Sequence, residues 1–274
     1  MIRGTRMRFG IALVVALASA GIAAGCGGGG GGDNDLGLIE SGTLTIGSDI
    51  PYPPFESGTD PSNYKGYDID IVNEIAKRID LTPKIVDTAF PTIFIHLAQG
   101  QFDMVASSTT ITPARQKEVD FSQGYYETDQ SLTVKEGSDI KSVDDLPGKT
   151  VGAQKATTGA SYAEGKTDAA SVRTYGEVDD AFNALEAGQV DAVINDFSSS
   201  EDAVNSKPGL VIVQRIVTRE VYGLAFQNGA TKLEDEVNGA LSDMKDDGTF
   251  TQIYQKWFHQ KPPASVLNAT EPNP

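Results

Sequence analysis

Residues 97–105 read LAQGQFDMV, and residues 185–193 read LEAGQVDAV. Both fit L-x-x-G-Q-(apolar)-D-x-V, and they stand 88 residues apart. In each, a helical pattern stops at a glycine, the residue that best accepts the left-handed backbone just past a helix end. A short apolar strand then begins. Helix-stop-strand grammar is common enough to arise twice by chance, but the strands that open each half match as well. Thr45-Ile46-Gly47-Ser48-Asp49 parallels Thr150-Val151-Gly152-Ala153-Gln154. The chain therefore reads as two similarly built α/β halves.

Working outward, strands and helices alternate from Thr43, which argues for parallel pairing. The first half reads as a strand at 43–47, an amphipathic helix at 68–80, a strand at 84–86, a helix from about 91 to Gly100 and a strand at 102–106. Thr112-Pro113 is a helix start, with threonine as N-cap and proline at the first helical position. The second half repeats the scheme: strand 150–154, helix 158–165, strand 172–175, helix 178–188, strand 190–194. A further helix around 197–204 has Asp196 at its N-cap position.

The repeat sets polar residues at equivalent points. Asp49 and Gln154 each follow a first strand; Ser108 and Asp196 each follow a later one. Open parallel sheets bind ligands just beyond the carboxyl ends of their strands, and pockets concentrate between domains. Two facing halves would bring these four ends to one cleft. Ser107, Ser108, Thr109 and Thr110, with Arg115 beyond, would supply hydrogen-bonding groups and one cation.

The ends of the chain are of a different kind. Arg3, Arg6 and Arg8 precede an apolar run over 9–24, which is the pattern of an export signal. Ile22-Ala23-Ala24-Gly25-Cys26 puts small residues before the only cysteine and resembles a bacterial lipobox, with Ala23 where leucine is commonest. Cleavage would leave Cys26 to carry lipid, and two acyl chains suffice for stable anchoring. A plain secretory signal or an N-terminal membrane helix is the alternative. Residues 27–32 are all glycine, so 26–37 reads as a flexible tether, and 263–274 reads as an irregular tail. The whole chain carries 22 Lys and Arg against 38 Asp and Glu, net −16; loss of the leader would leave 19 against 38, net −19. That balance disfavours nucleic acid and anionic membrane surfaces as partners. His96 and His259 are the only histidines and lie far apart, so no histidine-based metal site is expected and no cofactor is implied.

Several segments resemble the polar amino-acid-binding proteins of bacterial ABC importers, family 3 of the extracellular solute-binding proteins. They are Gly66-Tyr67-Asp68-Ile69-Asp70-Ile71, the loop Asp49-Ile50-Pro51-Tyr52-Pro53-Pro54-Phe55, and Thr110-Ile111-Thr112-Pro113-Ala114-Arg115. Asp247-Gly248-Thr249 with Ile253-Tyr254-Gln255-Lys256-Trp257-Phe258 completes the set. The run after Phe90, with Thr92, Phe94, Ile95 and His96, departs from the family pattern. The resemblance implies an α/β, two-lobed periplasmic-binding-protein fold of type II. Its sheets would be of parallel type, with helices on both faces and two crossover hinge strands, near 131–134 and 222–225. Lobe 1 would be 38–130 plus 224–262, and lobe 2 would be 131–223.

The same resemblance implies a monomeric receptor for a free amino acid, docking on a membrane permease at the outer face of the cytoplasmic membrane or in the periplasm. Arg115 would take the ligand carboxylate through its planar fork, helped by the helix start at Thr157 and Thr158, with Ser107 a further ligand-binding residue. Asp196 would take the ammonium, with Ser108 and Thr110. Tyr52 and Phe90 would wall the side-chain pocket, with Asp49, Gln154 and Asn195 as its polar groups. Asp49 is then a spare negative charge, which favours an arginine- or lysine-like ligand, with glutamine or another neutral polar amino acid second. A dehydratase on the same fold, or a sensor acting through a partner, are rival readings; no catalytic residue stands out.

Other motifs carry less. Residues 159–167 resemble a phosphate-binding loop but have one residue too many between the glycines. Residues 243–254 begin like a calcium loop, but Lys245 and Tyr254 occupy ligand positions. Asp68 and Asp70 alternate with Ile69 and Ile71 as a helix start does. His96, Trp257 and Phe258 read as packing residues.

Overall fold

The computed structural model describes residues 36–272. The expected leader, the lipidated Cys26 and the glycine run lie outside the described residues. Two five-stranded sheets organise the rest. The chain first lays down β1 (Thr43–Ser48), α1 (Tyr67–Arg78), β2 (Thr82–Asp87), α2 (Ile93–Ala98), β3 (Met104–Val105) and β4 (Val119–Phe121). It then builds β5 (Tyr126–Lys135), β6 (Thr150–Gln154), α3 (Thr158–Lys166), β7 (Ser171–Tyr175), α4 (Val178–Glu186), β8 (Ala192–Asp196), α5 (Phe197–Ser206) and β9 (Leu210–Tyr222). It returns through β10 (Ala225–Gln227), α6 (Thr231–Asp246), α7 (Thr249–Phe258) and α8 (Ala264–Leu267). The strand orders are β2-β1-β3-β10-β4 and β7-β6-β8-β5-β9.

The two halves share a register. Ile46 and Gly47 of β1 pair with Met104 and Val105 of β3, and Val151 and Gly152 of β6 pair with Ala192 and Val193 of β8. The repeated aspartate explains why. Asp103 Oδ2 accepts from the Thr45 amide at 2.6 Å, and Asp191 Oδ2 accepts from the Thr150 amide at 2.8 Å. Each therefore ties the start of one strand to its parallel neighbour. Gly100 and Gly188 have φ of 71° and 70°, the left-handed value that ends the preceding helix.

The sheets are mixed rather than of parallel type. β1 runs parallel to β2 and β3, and β6 to β7 and β8; β10 and β5 pair antiparallel with their neighbours. On the two passages between the sheets, β4 and β5 carry the chain out and β9 and β10 bring it back alongside, so β4 and β10 pair antiparallel, as do β5 and β9. The first passage falls at 122–125, not at 131–134, which lies within β5 against β8 and β9. The second falls at 223–224, inside the expected 222–225.

The helix expected from Thr112 shrinks to a single 3₁₀ turn, Arg115–Lys117. Thr112 Oγ1 does accept from the Arg115 amide, at 3.2 Å, as an N-cap does. The chain has no length for more, because β4 begins at Val119. Beneath the passages lies an aromatic cluster. Tyr126 packs 4.7 Å from Phe258 and 4.9 Å from Phe55, and Tyr222 lies 5.4 Å from both Tyr126 and Phe55. Trp257 Nε1 donates to Asp70 Oδ2 at 2.6 Å, fastening α7 to α1. Among the described residues no helix is long and apolar enough to cross a membrane.

Candidate functional site

A narrow cavity, enclosing about 300 Å³ of empty space with its mouth included, opens between the carboxyl ends of the two parallel strand sets. The first lobe contributes Asp49 and Tyr52 from the loop after β1 and Phe90 from the turn after β2. It also contributes Ser107, Ser108 and Thr110 from the segment after β3, and Arg115. The second contributes Gln154 at the end of β6, Thr157 and Thr158 at the start of α3, and Asp196 at the end of β8. Of the twelve expected residues, only Asn195 does not line the cavity. It sits behind it, with Oδ1 3.1 Å from the Tyr52 hydroxyl.

Local structure aims these groups. Asp68 Oδ2 accepts from the Ser108 amide at 2.8 Å and the Tyr125 hydroxyl at 2.7 Å, and Ser108 has φ of 48°. Asp68, at a helix start, thus holds a strained turn in place. The Ser107 hydroxyl accepts from the Asp49 amide at 2.9 Å. Thr157 caps α3 by accepting from the Ala160 amide at 3.1 Å, which leaves the helix's first N–H groups at the cavity. Asp196 occupies the N-cap position of α5 but makes no side-chain cap bond. Its carboxylate accepts instead from Tyr222, from Gln130 and from Tyr52 at 3.0 Å.

Arg115 is the one cation among the lining residues. Its guanidinium donates to the Thr110 carbonyl at 2.8 Å and the Ala156 carbonyl at 3.1 Å, and lies 5.3 Å from the ring centres of Phe90 and Phe94. Two aromatic faces and two carbonyls hold it flat. Burial pushes its pKa down, against the opposing charges of Asp196 and Glu220. Burial raises Asp196 to about 7, and the charge of Glu220 adds to the rise; bonds from Tyr222, Tyr52 and Gln130 oppose it. Asp49 is also pushed up to about 7, first by burial and then by Glu177. Both are carboxyl groups poised for a positive neighbour.

Bonds cross the cleft at four points. Gln154 Nε2 donates to Asp49 Oδ2 at 2.6 Å, Tyr52 reaches Asn195 and Asp196, Arg115 reaches Ala156, and Thr110 Oγ1 donates to Glu220 Oε2 at 2.8 Å. Glu220 also accepts from Thr158 Oγ1 at 2.6 Å and from Gln130 Nε2 at 2.8 Å. Ser108 Oγ and Gln130 Oε1 are buried with no hydrogen-bond partner. Gln130, Glu220, Tyr222 and Phe94 were not among the expected residues. Gln130, Glu220 and Tyr222 stand on β5 and β9, which have no counterpart in the sequence repeat. Phe94 falls in the run that departs from the family pattern. Among the described residues no group of His, Cys, Asp and Glu is arranged to hold a metal ion.

The sequence profile of the bacterial extracellular solute-binding proteins, family 3, matches residues 44–260. The chain belongs to that family. Within it, the ABC transporter glutamine-binding protein GlnH of Bacillus subtilis (strain 168) is 37% identical over 202 residues, 72% of this chain and 74% of the relative. A solved ancestral arginine-binding protein bound to glutamine superimposes with a TM-score of 0.77 at 36% identity, over 80% of this chain and 99% of that one. The ancestral amino acid-binding protein AncCDT-1, a precursor of cyclohexadienyl dehydratase, gives 0.73 at 37% identity, over 79% and 96%. The family is extracytoplasmic, and this member has the two-lobed fold of those structures.

Proposed function

We propose that this family 3 protein captures one free amino acid with a cationic side chain and hands it to an ABC importer at the outer face of the membrane, tethered through a lipid on Cys26. One observation carries the reading. The cavity sets a half-buried guanidinium, Arg115, on one lobe and a buried carboxyl group, Asp196, on the other. A zwitterion entering the cleft meets both its charges at once, which offsets the several kcal/mol that burying each ion would otherwise cost. The unpartnered Ser108 Oγ and the first N–H groups of α3 supply further polar contacts. The distal side chain meets Asp49 and Gln154.

Closure follows from the same geometry. The two sheets would swing about 122–125 and 223–224, and ligand favours the closed state by touching both lobes at once. Glutamine is the second reading, because Asp49 can accept from a side-chain amide and Gln154 can donate to its carbonyl. The B. subtilis relative is a glutamine-binding protein.

A thermal-shift screen of the twenty standard amino acids with ornithine and citrulline tests this. A ligand at a thousandfold excess over Kd stabilises by about 4 kcal/mol, so arginine or lysine gives the largest rise in Tm. A rise with glutamine alone selects the second reading, and no rise with any amino acid overturns the assignment. Incubation with prephenate or arogenate yields no product if the chain binds without turnover.

A further inference from the structure

Just behind the residues that line the side-chain end of the cavity, a second carboxyl group stands against Asp49. Gln154 Nε2 donates both to Asp49 Oδ2 at 2.6 Å and to the Gly176 carbonyl at 2.9 Å. It thereby draws the turn before α4 of the second lobe against Asp49 of the first. The next residue is Glu177, at the N-cap position of α4. Its side chain makes no cap bond there. It lies instead within hydrogen-bonding reach of the Asp49 carboxyl, and its Oε2 is buried with no hydrogen-bond partner. Arg115 does not compensate this pair, since its charge acts on Asp196 and Glu220. Asp87, whose Oδ1 accepts from the Ile50 amide at 3.2 Å, adds a further negative charge near Glu177.

Two facing carboxyl groups cannot both ionise in a partly buried site without a cation between them. Asp49 shows the strain, standing at about 7 through burial and then through Glu177; burial also raises Glu177. A guanidinium or ammonium on the ligand would remove it. We propose that Glu177 is a second specificity residue of the site. With Asp49 it forms a two-carboxylate clasp, one jaw on each lobe, for a cationic group at the far end of the bound amino acid. This deepens the amino-acid reading and rests on it. A neutral amide can donate to one jaw but leaves the other charge unmatched, so the clasp selects arginine over citrulline or glutamine. Because its jaws stand on different lobes, a distal cation also strengthens closure.

The experiment measures Kd for arginine, citrulline and glutamine by calorimetry at pH 8, for the full chain and for Glu177→Gln, Glu177→Asp and Asp49→Asn. Charge-assisted hydrogen bonds are worth enough that Glu177→Gln should weaken arginine about tenfold or more. Citrulline and glutamine should stay within about threefold, since neither gains from the second charge. Glu177→Asp should restore part of the preference. The ligand-free Tm of Glu177→Gln should equal or exceed that of the parent, because a like-charge contact is gone, so a loss of arginine affinity cannot be laid to misfolding. An arginine-to-citrulline preference unchanged in Glu177→Gln overturns the clasp while leaving the amino-acid reading intact. A parent chain that binds none of the three overturns both.

Discussion

At the scale of single residues, the site depends on geometry that the residue types make possible and the backbone fixes. Arg115 is held flat by Phe90, Phe94 and two carbonyls, so its fork is preorganised for a carboxylate. Lysine keeps the charge but loses the fork and the stacking. Arg115→Lys should therefore weaken amino-acid binding by about 30-fold or more, a loss on the scale of one charge-assisted bidentate pair. Calorimetry reads it directly, and a Kd within threefold of the parent counts against a carboxylate role. Tyr52 works differently. Its hydroxyl spans the cleft to Asn195 and Asp196, so Tyr52→Phe removes one cross-lobe bond without removing the aromatic wall. About a five- to tenfold loss in affinity is expected for all amino acids alike; a loss confined to one ligand would place Tyr52 in side-chain recognition instead. The repeat made Asp49, Gln154, Ser108 and Asp196 visible because they follow matching strands, whereas Tyr52 and Arg115 stood out through the segments that resemble the family. Gln130, Glu220 and Tyr222 escaped because alternation along β5 and β9 does not distinguish a cleft-facing polar group from a solvent-facing one. Only the pairing of the strands does.

At the scale of elements, the nine-residue repeat proved to be a strand anchor rather than ligand machinery. Asp103 and Asp191 accept from the Thr45 and Thr150 amides, tying β1 and β6 to the strands beside them. Asp103→Asn and Asp191→Asn should each lower Tm by about 3–6 °C, as a lost charge-assisted bond of roughly 1.5 kcal/mol or more does in a chain of this size. Ligand Kd should hold in both variants, and a change in Kd at unchanged Tm would give the motif a role in the site. Gly66, just before α1, has φ of 151°, and a Cβ there would lie 1.8 Å from the Phe55 carbonyl oxygen. No side chain can yield at that contact, because the opposing atom is backbone. Gly66→Ala should cost roughly 3 kcal/mol or more, read as a drop in the urea midpoint; an unchanged midpoint would mean the backbone there moves freely. Most elements were legible from periodicity and caps, including β6 to its last residue. The exceptions were set by the route of the chain. A helix at Thr112 had no room before β4, and antiparallel β5 and β10 follow from a chain that leaves the first sheet and returns beside its own path, which no alternation of helix and strand reveals.

At the scale of the whole molecule, the cleft concentrates carboxyl groups in a chain that already carries a net charge of −16. Folding raises Asp49 and Asp196 to about 7 and Asp68 to about 6, from an ordinary 3.8, with burial the first cause in each case. Glu56, fully buried, moves in the same direction. Between pH 4 and 7 the unfolded chain has released these protons while the folded chain keeps them. Stability therefore falls as pH rises through that window and levels off above it. Carboxylates displaced the other way, such as Asp129 and Asp247, the latter down to about 2, titrate below the window and do not oppose this slope. Self-repulsion of the acidic surface adds to the fall. The ligand-free protein should thus melt about 5 °C or more higher at pH 5 than at pH 8. A basic amino acid reverses the cause, because its ammonium and distal cation pair with ionised Asp196 and Asp49. The stabilisation it confers should grow from pH 5 to pH 8, with protons released on binding. Melting curves at both pH values, with and without arginine, separate the two effects. A ligand-free Tm that is flat or rises over this range contradicts the buried-carboxyl account. Asp49→Asn and Asp196→Asn should each flatten the slope, since an amide has no proton to lose, and their arginine-induced rise in Tm should be smaller at pH 8 than the parent's.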